Sequence, residues 1–199
     1  MSHYFTDNSD LTSNRREFNY YLDDEIFCFT TDNGVFSKSN VDYGSHVLIR
    51  NIYRKALGNR VLDLGSGYGP IGIVVKRFNP NVEVEMVDVN PRANELAALN
   101  CQKNNVDIKV HLCEDILTLE NTFDTVIFNP PIRAGKKIIY ELYEKAYEKL
   151  NDRGSLVIVI QRKQGAESSI GKLETLFDDV QVLDRDKGYW IIQATKHQH

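Results

Sequence analysis

The stretch FNPPIRAGK, residues 128–136, sets one amide before two prolines and a basic loop. A residue that precedes proline is pushed toward extended backbone. Pro130 and Pro131 have fixed φ and carry no N–H. The turn therefore offers acceptors, namely the Asn129 side-chain oxygen and the nearby carbonyls, and almost no backbone donors. Such a surface suits a ligand that donates, an –NH2 group above all. Taken alone, the same residues also read as a turn that ends a strand, since Asn-Pro commonly opens a loop.

A second group of candidate residues lies upstream. Gly67-Tyr68-Gly69-Pro70-Ile71-Gly72 fits the pattern GxGxxG, by itself a weak sign of a dinucleotide. Asp63 stands just before Gly65-Ser66-Gly67, where it would repel a pyrophosphate. Pro70 also removes one of the N–H groups that a phosphate uses at a helix start. A ligand with an ammonium and a sulfonium would find Asp63 attractive. S-adenosylmethionine carries both, together with a ribose. Asp88 follows Gly65 by 23 residues, an offset at which an acid accepts from a ribose diol. Asp115 either accepts from an adenine amino group or only caps the next segment.

Apolar runs must hold these residues at one edge. RVLDL, VEVEMVDV, IKVHLCED and FDTVIFN read as strands that alternate with helical segments, and SLVIVIQ as a fifth. The closing VQVLDRDKGYWIIQAT reads as a hairpin turning near Asp186-Lys187-Gly188. The pattern predicts an α/β fold with a Rossmann-like, doubly wound, mostly parallel seven-stranded sheet and an antiparallel C-terminal edge strand. In such a sheet, ligands bind beyond the carboxyl ends of the strands. Four strands in succession end in polar residues there: Asp63-Leu64, Asp88, Glu114-Asp115 and Asn129. Residues 1–57 read as an N-terminal extension packed on a catalytic domain of 58–199. It is poorly ordered to about residue 15. A hairpin over 16–35 follows, split at Asp23-Asp24, with a second turn at Asp32-Asn33-Gly34. YGSHVLIRNIYRKALGN then reads as a helix, with Ser45 as a candidate N-cap and Gly58 past its end.

With 199 residues, 42% hydrophobic and 26% charged, the chain suits one globular domain with a short extension. It has no run of ~18 apolar residues to span a membrane. The N-terminus lacks the apolar stretch of a signal peptide. Cys28, Cys101 and Cys113 are odd in number and not spaced as a metal knuckle, which predicts a reduced, cytoplasmic setting. The scattered histidines predict no metal site, and the terminal HQH a solvated tail. A net charge of −4 argues against a surface that grips nucleic acid throughout. It leaves room for a local basic patch. Arg133, Lys136 and Lys137 follow the acceptor turn, and Arg162-Lys163 follow the fifth strand, bordering the same edge. For any one of these the plainer reading is an ordinary solvated charge.

VLDLGSGYG, the acid of EMVDVN and the NPP of FNPPI resemble the three signature motifs of class I S-adenosylmethionine-dependent methyltransferases. The NPP form is similar to enzymes that methylate amino nitrogens of adenine, guanine or glutamine. GVFSKSNVDYGSHVL and NPPIRAGK further resemble the ribosomal RNA small-subunit methyltransferase C type, which acts on guanine N2. The likeness runs from about residue 33 to 195. It implies S-adenosylmethionine as cofactor and ribosomal RNA or the small ribosomal subunit as partner. It implies Asn129, Pro130 and Pro131 as catalytic residues. Cofactor contacts would be Asp63, Gly65, Ser66, Gly67, Asp88, Val89, Asp115 and Asn129; substrate contacts would be Ile132, Arg133 and Lys136. Two departures stand out. Better-known enzymes of this type carry a second, degenerate methyltransferase-like domain where this chain has a hairpin. The position after the second proline is often aromatic, and Ile132 forgoes a stacking contribution of roughly 1–3 kcal/mol.

In the expected mechanism, Asn129 Oδ1 and the Pro130 carbonyl each accept one amine hydrogen and aim the nitrogen lone pair at the methyl. A carboxylate at 129 would still accept from the amine, so Asn129→Asp is expected to be milder than alanine. Other readings are a protein glutamine N5-methyltransferase, a nicotinamide-dependent oxidoreductase using the GxGxxG turn, and a degenerate module that binds ribosomal RNA without catalysis.

Overall fold

The computed structural model describes residues 11–35 and 40–197. Phe36–Ser39, inside the segment singled out above, and the last two residues of the HQH tail lie outside them. The chain opens with β1 (Arg16–Leu22) and β2 (Glu25–Thr31), then α1 (Tyr43–Ile52). The alternating part follows: β3 (Arg60–Leu64), α2 (Pro70–Phe78), β4 (Glu83–Asp88), α3 (Pro91–Lys103), β5 (Lys109–Leu112), β6 (Phe123–Phe128), α4 (Lys136–Lys149), β7 (Leu150–Gln161), α5 (Ala166–Leu176), β8 (Asp179–Asp186) and β9 (Tyr189–Thr195).

Seven strands form one sheet in the order β5-β4-β3-β6-β7-β9-β8. It is parallel from β5 through β7. β9 pairs antiparallel with both β7 and β8. The antiparallel margin is therefore two strands deep: the last strand lies inside and β8 forms the rim. Central strands covered on both faces need apolar side chains at every position. Val126, Ile127 and Phe128 are accordingly fully buried. One core lies between the sheet and α2, α3, α1 and the hairpin. A second lies beneath α4 and α5.

β1 and β2 form a separate two-stranded sheet joined at Asp23-Asp24, as the alternation predicts. A lone hairpin is marginal in water, and this one is completed by a helix. Asn100 accepts from Thr30 N at 2.8 Å and donates to Thr30 O at 3.0 Å. Asn104, one turn later, does the same with Cys28 at 3.0 and 2.9 Å. Spacing of four residues puts both amides on one face of α3, where they stand in for a neighbouring strand.

Several local expectations change. Residues 11–15 are held rather than loose: Ser13 Oγ and Asn14 N both donate to Asp32, and Arg15 pairs with Glu95 at 3.0 Å. The cap of α1 is Asp42, whose carboxylate accepts from Ser45 N at 3.1 Å, and the helix ends at Ile52 instead of near Gly58. β5 stops at Leu112, so Glu114 and Asp115 do not end a strand. β7 begins at Leu150, because it pairs with Phe123 before a register shift and rejoins β6 at Ser155.

Candidate active site

Strand register brings the polar edge together. Leu64 is level with Val87 on one side and with Phe128 on the other. The next residues along are Gly65, Asp88 and Asn129, so they form a single rung at the carboxyl ends. The connections leave β3 toward β4 on one side and reach β6 on the other. This is the point where ligands enter doubly wound sheets.

The Gly-rich turn spends its donors within the protein. Gly65 N and Ser66 N donate to Val87 O at 2.9 and 3.0 Å, and Gly69 N to Ser66 O at 3.0 Å. Gly67 N donates to Asp88 Oδ2 at 2.8 Å, from a left-handed φ of 58° that favours glycine. Gly72 N donates to Asp63 Oδ2 at 2.9 Å. Glycine is required there: a Cβ would sit 2.9 Å from Met86 Sδ and 3.1 Å from Asp63 Oδ2. Asp63 thus takes a helix-start N–H that a phosphate would need, and Pro70 has none to give. Tyr68, within the turn, faces away from the edge: its ring meets Phe18 and Phe29 edge-on, and Asn100 holds its carbonyl at 2.9 Å.

Both acids behave as buried carboxylates. Asp63 is 1% exposed, and burial pushes its pKa up to about 7. The Gly72 N–H opposes that shift and the charge of Asp88 adds to it. Burial also raises Asp88, against the N–H groups of Asn90, Gly67 and Val89. A carboxylate has about four acceptor positions. Asp88 uses one on Gly67 N and one on Asn90 N, at 2.9 Å, which leaves capacity for a diol. Val89 follows it, half-buried. Asp115 caps the short 3-10 turn Ile116–Thr118 by accepting from Leu117 N at 3.0 Å, and pairs with Lys145 at 3.2 Å. The Leu117 N–H is the main cause of its lowered pKa. Both contacts use Oδ1.

Asn129 is oriented by partners that the sequence did not suggest. Its Nδ2 donates to Ser45 Oγ at 3.0 Å and reaches Asp42 Oδ2 at 3.4 Å. No described residue donates to its Oδ1 or to the Pro130 carbonyl, whereas the Pro131 carbonyl accepts Ala134 N at 2.8 Å. Pro130 is buried and Pro131 half-buried. Ile132 opens a 3-10 turn and packs partly against the second core. Arg133, Lys136 and Lys137 are exposed, as are Arg162 and Lys163. Arg162 N donates to Gly188 O at 2.9 Å, which ties the loop after β7 to the β8–β9 turn. The asparagine pairs and Asp42 belong to no pattern that a single sequence displays, because their partners lie up to 87 residues away.

At this edge two acids lie beside a turn whose N–H groups are already bonded within the protein. The chain is a member of the methyltransferase small domain family, whose model matches residues 27–193. It is 42% identical over 197 residues to "Uncharacterized protein YbxB" of Bacillus subtilis (strain 168), covering 98% of each. It is 36% identical over 157 residues to Ribosomal RNA small subunit methyltransferase C of Haemophilus influenzae (strain ATCC 51907 / DSM 11121 / KW20 / Rd), covering 75% of this chain and 46% of the relative. A solved T. Thermophilus 16S rRNA N2 G1207 methyltransferase (RsmC), in complex with AdoMet and guanosine, superposes with a TM-score of 0.81 at 24% identity. That match covers 92% of this chain and 51% of the other. The chain thus spans about half the length of the ribosomal RNA methyltransferases it matches.

Membership removes the oxidoreductase reading and makes S-adenosylmethionine the methyl donor. The residues present fit it. Among the described residues, the two side chains that accept from the backbone N–H groups of the turn and helix start, Asp63 and Asp88, are both acids. Ser66 Oγ and Asn94 Oδ1 are buried there without a partner, and Asn94 Nδ2 donates to Asp88 O at 2.9 Å. Among the described residues there is no cluster of metal-ligating side chains, and no helix long and apolar enough to cross a membrane.

Proposed function

We propose that this protein methylates the exocyclic N2 of a guanine in small-subunit (16S) ribosomal RNA. The observation that carries the reading is the orientation of Asn129. Its NH2 is turned inward onto Ser45 and Asp42, so the edge presents a carbonyl oxygen beside the free Pro130 carbonyl. Two acceptors at one corner match the two hydrogens of an aromatic amine.

When bound, S-adenosylmethionine supplies an electrophilic methyl group. Asp88 would hold its ribose. Asp63 would place negative charge beneath its ammonium while pinning Gly72. Gly65, Ser66, Gly67 and Val89 would form the wall between those acids, and Asp115 Oδ2 would meet the adenine amino group. Asn129 Oδ1 and the Pro130 carbonyl would take one amine hydrogen each, leaving the nitrogen lone pair aimed across the rung. Pro131 fixes that geometry. Neutral acceptors also stabilise a nitrogen that gains positive charge. No strong base is required, because the product nitrogen is acidic enough to release its proton to water. Alignment of two bound reactants supplies several kcal/mol, with about 7–11 as the upper range.

The target base must leave its stack or come from an open RNA region. Ile132 would pack on it, and Arg133, Lys136 and Lys137 would meet neighbouring phosphates, joined by Arg162 and Lys163. Such a partner places the protein in the cytoplasm. The likeness to ribosomal RNA methyltransferases supports the choice of RNA. The test is transfer of labelled methyl to small-subunit RNA and to the assembled subunit, followed by nucleoside digestion. Label in N2-methylguanosine is expected. Label confined to protein glutamine would move the assignment to a glutamine N5-methyltransferase.

A further inference from the structure

An asparagine side chain has nearly the same shape with its oxygen and nitrogen exchanged, so only its partners decide which end faces a substrate. Flipped, Asn129 would point NH2 at NH2 and lose the amine. The inward end of Asn129 meets Ser45 Oγ at 3.0 Å and Asp42 Oδ2 at 3.4 Å. An ionised carboxylate can only accept, so the nitrogen of Asn129 must be the atom that faces it. The same Asp42 oxygen accepts from Ser45 N at 3.1 Å, which fixes the carboxylate at the start of α1. Ser45 is 4% exposed, and Val47, Leu48 and Ile49 bury the next turn almost completely. The two partners therefore ride on a rigid element.

We infer that Asp42 and Ser45 are positioning residues for the reaction: they hold the Asn129 amide so that its oxygen faces the amine. The inference rests on the methyl-transfer reading of Asn129, and it assigns to α1 a specificity role against substrates that present an acceptor in place of –NH2.

The test uses Ser45→Ala and Asp42→Gly, each in the parent and in Asn129→Ala. Glycine at an N-cap costs little, so Asp42→Gly keeps α1 while losing the carboxylate that faces Asn129. With small-subunit RNA and labelled S-adenosylmethionine, each single change should lower kcat about tenfold and leave the KM for the cofactor unchanged. In Asn129→Ala neither change should lower kcat further. Equal losses in both backgrounds, or no loss in the parent, would overturn the inference. A second measurement needs no substrate. The side-chain NH2 protons of Asn129, identified by their absence in Asn129→Ala, should exchange slowly in the 15N-labelled protein and faster in Ser45→Ala. Fast exchange in the parent also overturns it. Slow exchange in a protein that never methylates RNA would sink the guanine assignment and leave the positioning intact.

Discussion

Asn129→Asp is the most informative single change, because the structure reverses the expectation drawn from the sequence. An aspartate at 129 still accepts from an amine, which predicts a milder defect than alanine. In the fold, however, that carboxylate would face Asp42 at about the 3.4 Å now spanned by Asn129 Nδ2. Two unit charges at that separation repel by ~1 kcal/mol in bulk water and ~5 kcal/mol at an effective dielectric of about 20. Both residues are half-buried, so a middle value of roughly 2.5 kcal/mol applies, or about two pH units. The pair should therefore keep a shared proton up to about pH 6. Above pH 7 both groups are ionised, the side chain at 129 is driven out of place, and the variant should be as slow as Asn129→Ala. Loss of one preorganised polar contact of this kind costs about 10²–10³ in rate. Below pH 6 the protonated aspartate copies asparagine, with O–H toward Asp42 and C=O toward the amine, and kcat should climb. The assay is single-turnover methyl transfer to small-subunit RNA from pH 5.5 to 8.5, as a ratio to the parent. A flat ratio, or a variant more than tenfold faster than Asn129→Ala at pH 8, would refute the reasoning.

Asp88→Ala should weaken S-adenosylmethionine binding by roughly 1.5–3 kcal/mol through lost bonds to a charged group, and an unchanged calorimetric Kd removes Asp88 from the site. Asp63, held near pKa 7 by burial, should release protons when a cation binds above it. Affinity should then rise from pH 6 to 8, with calorimetric heats that differ between buffers of unlike ionisation enthalpy; buffer-independent heats count against its role. Because the folded protein keeps that proton and the unfolded chain loses it near pH 4, stability should fall with rising pH between about 4 and 7. Asp63→Asn should flatten that slope in urea titrations. Replacing Arg133, Lys136 and Lys137 together by alanine should flatten the plot of log RNA affinity against log salt and spare cofactor binding; identical slopes would leave the loop as solvated surface.

The alternating part of the fold was legible because its signals are local. Pro70 opens α2 and Asn90-Pro91 caps and opens α3, accepting from Arg92 N and Ala93 N. Continuous apolar runs mark the buried strands. The candidate site was legible only as strand endings. Asp88 and Asn129 stand on one rung because parallel register puts them there. The strand ending at Glu114-Asp115 misled for a related reason: IKVHLCED alternates as a strand would, yet β5 is a rim strand whose pairing stops at Leu112, and Asp115 caps the next segment, one of the two readings it allowed. The orientation of Asn129 was illegible. It depends on Asp42, which reads as a loop residue until it is seen to cap α1, three residues earlier than a cap at Ser45 allows for.

Residues 11–35 and 40–52 cannot be treated as a cover added to a finished site. Their hydrophobic side chains, Phe27, Phe29, Val47 and Leu48 among them, share one core with Val61 and Met86 of the central strands. Their polar contacts reach both ends of the active edge. On one side Asn90, two residues beyond Asp88, donates to Gly34 O at 3.2 Å, and Asn100 joins Thr30 to the carbonyl of Tyr68 in the Gly-rich turn. On the other side Asp42 and Ser45 grip Asn129. A sheet edge built mostly of acceptors has little of its own with which to fix an amide, since the prolines that clear the corner of donors also remove the hydrogen bonds that would brace it. The brace therefore comes from the start of α1, where two acceptors hold the amide nitrogen of Asn129.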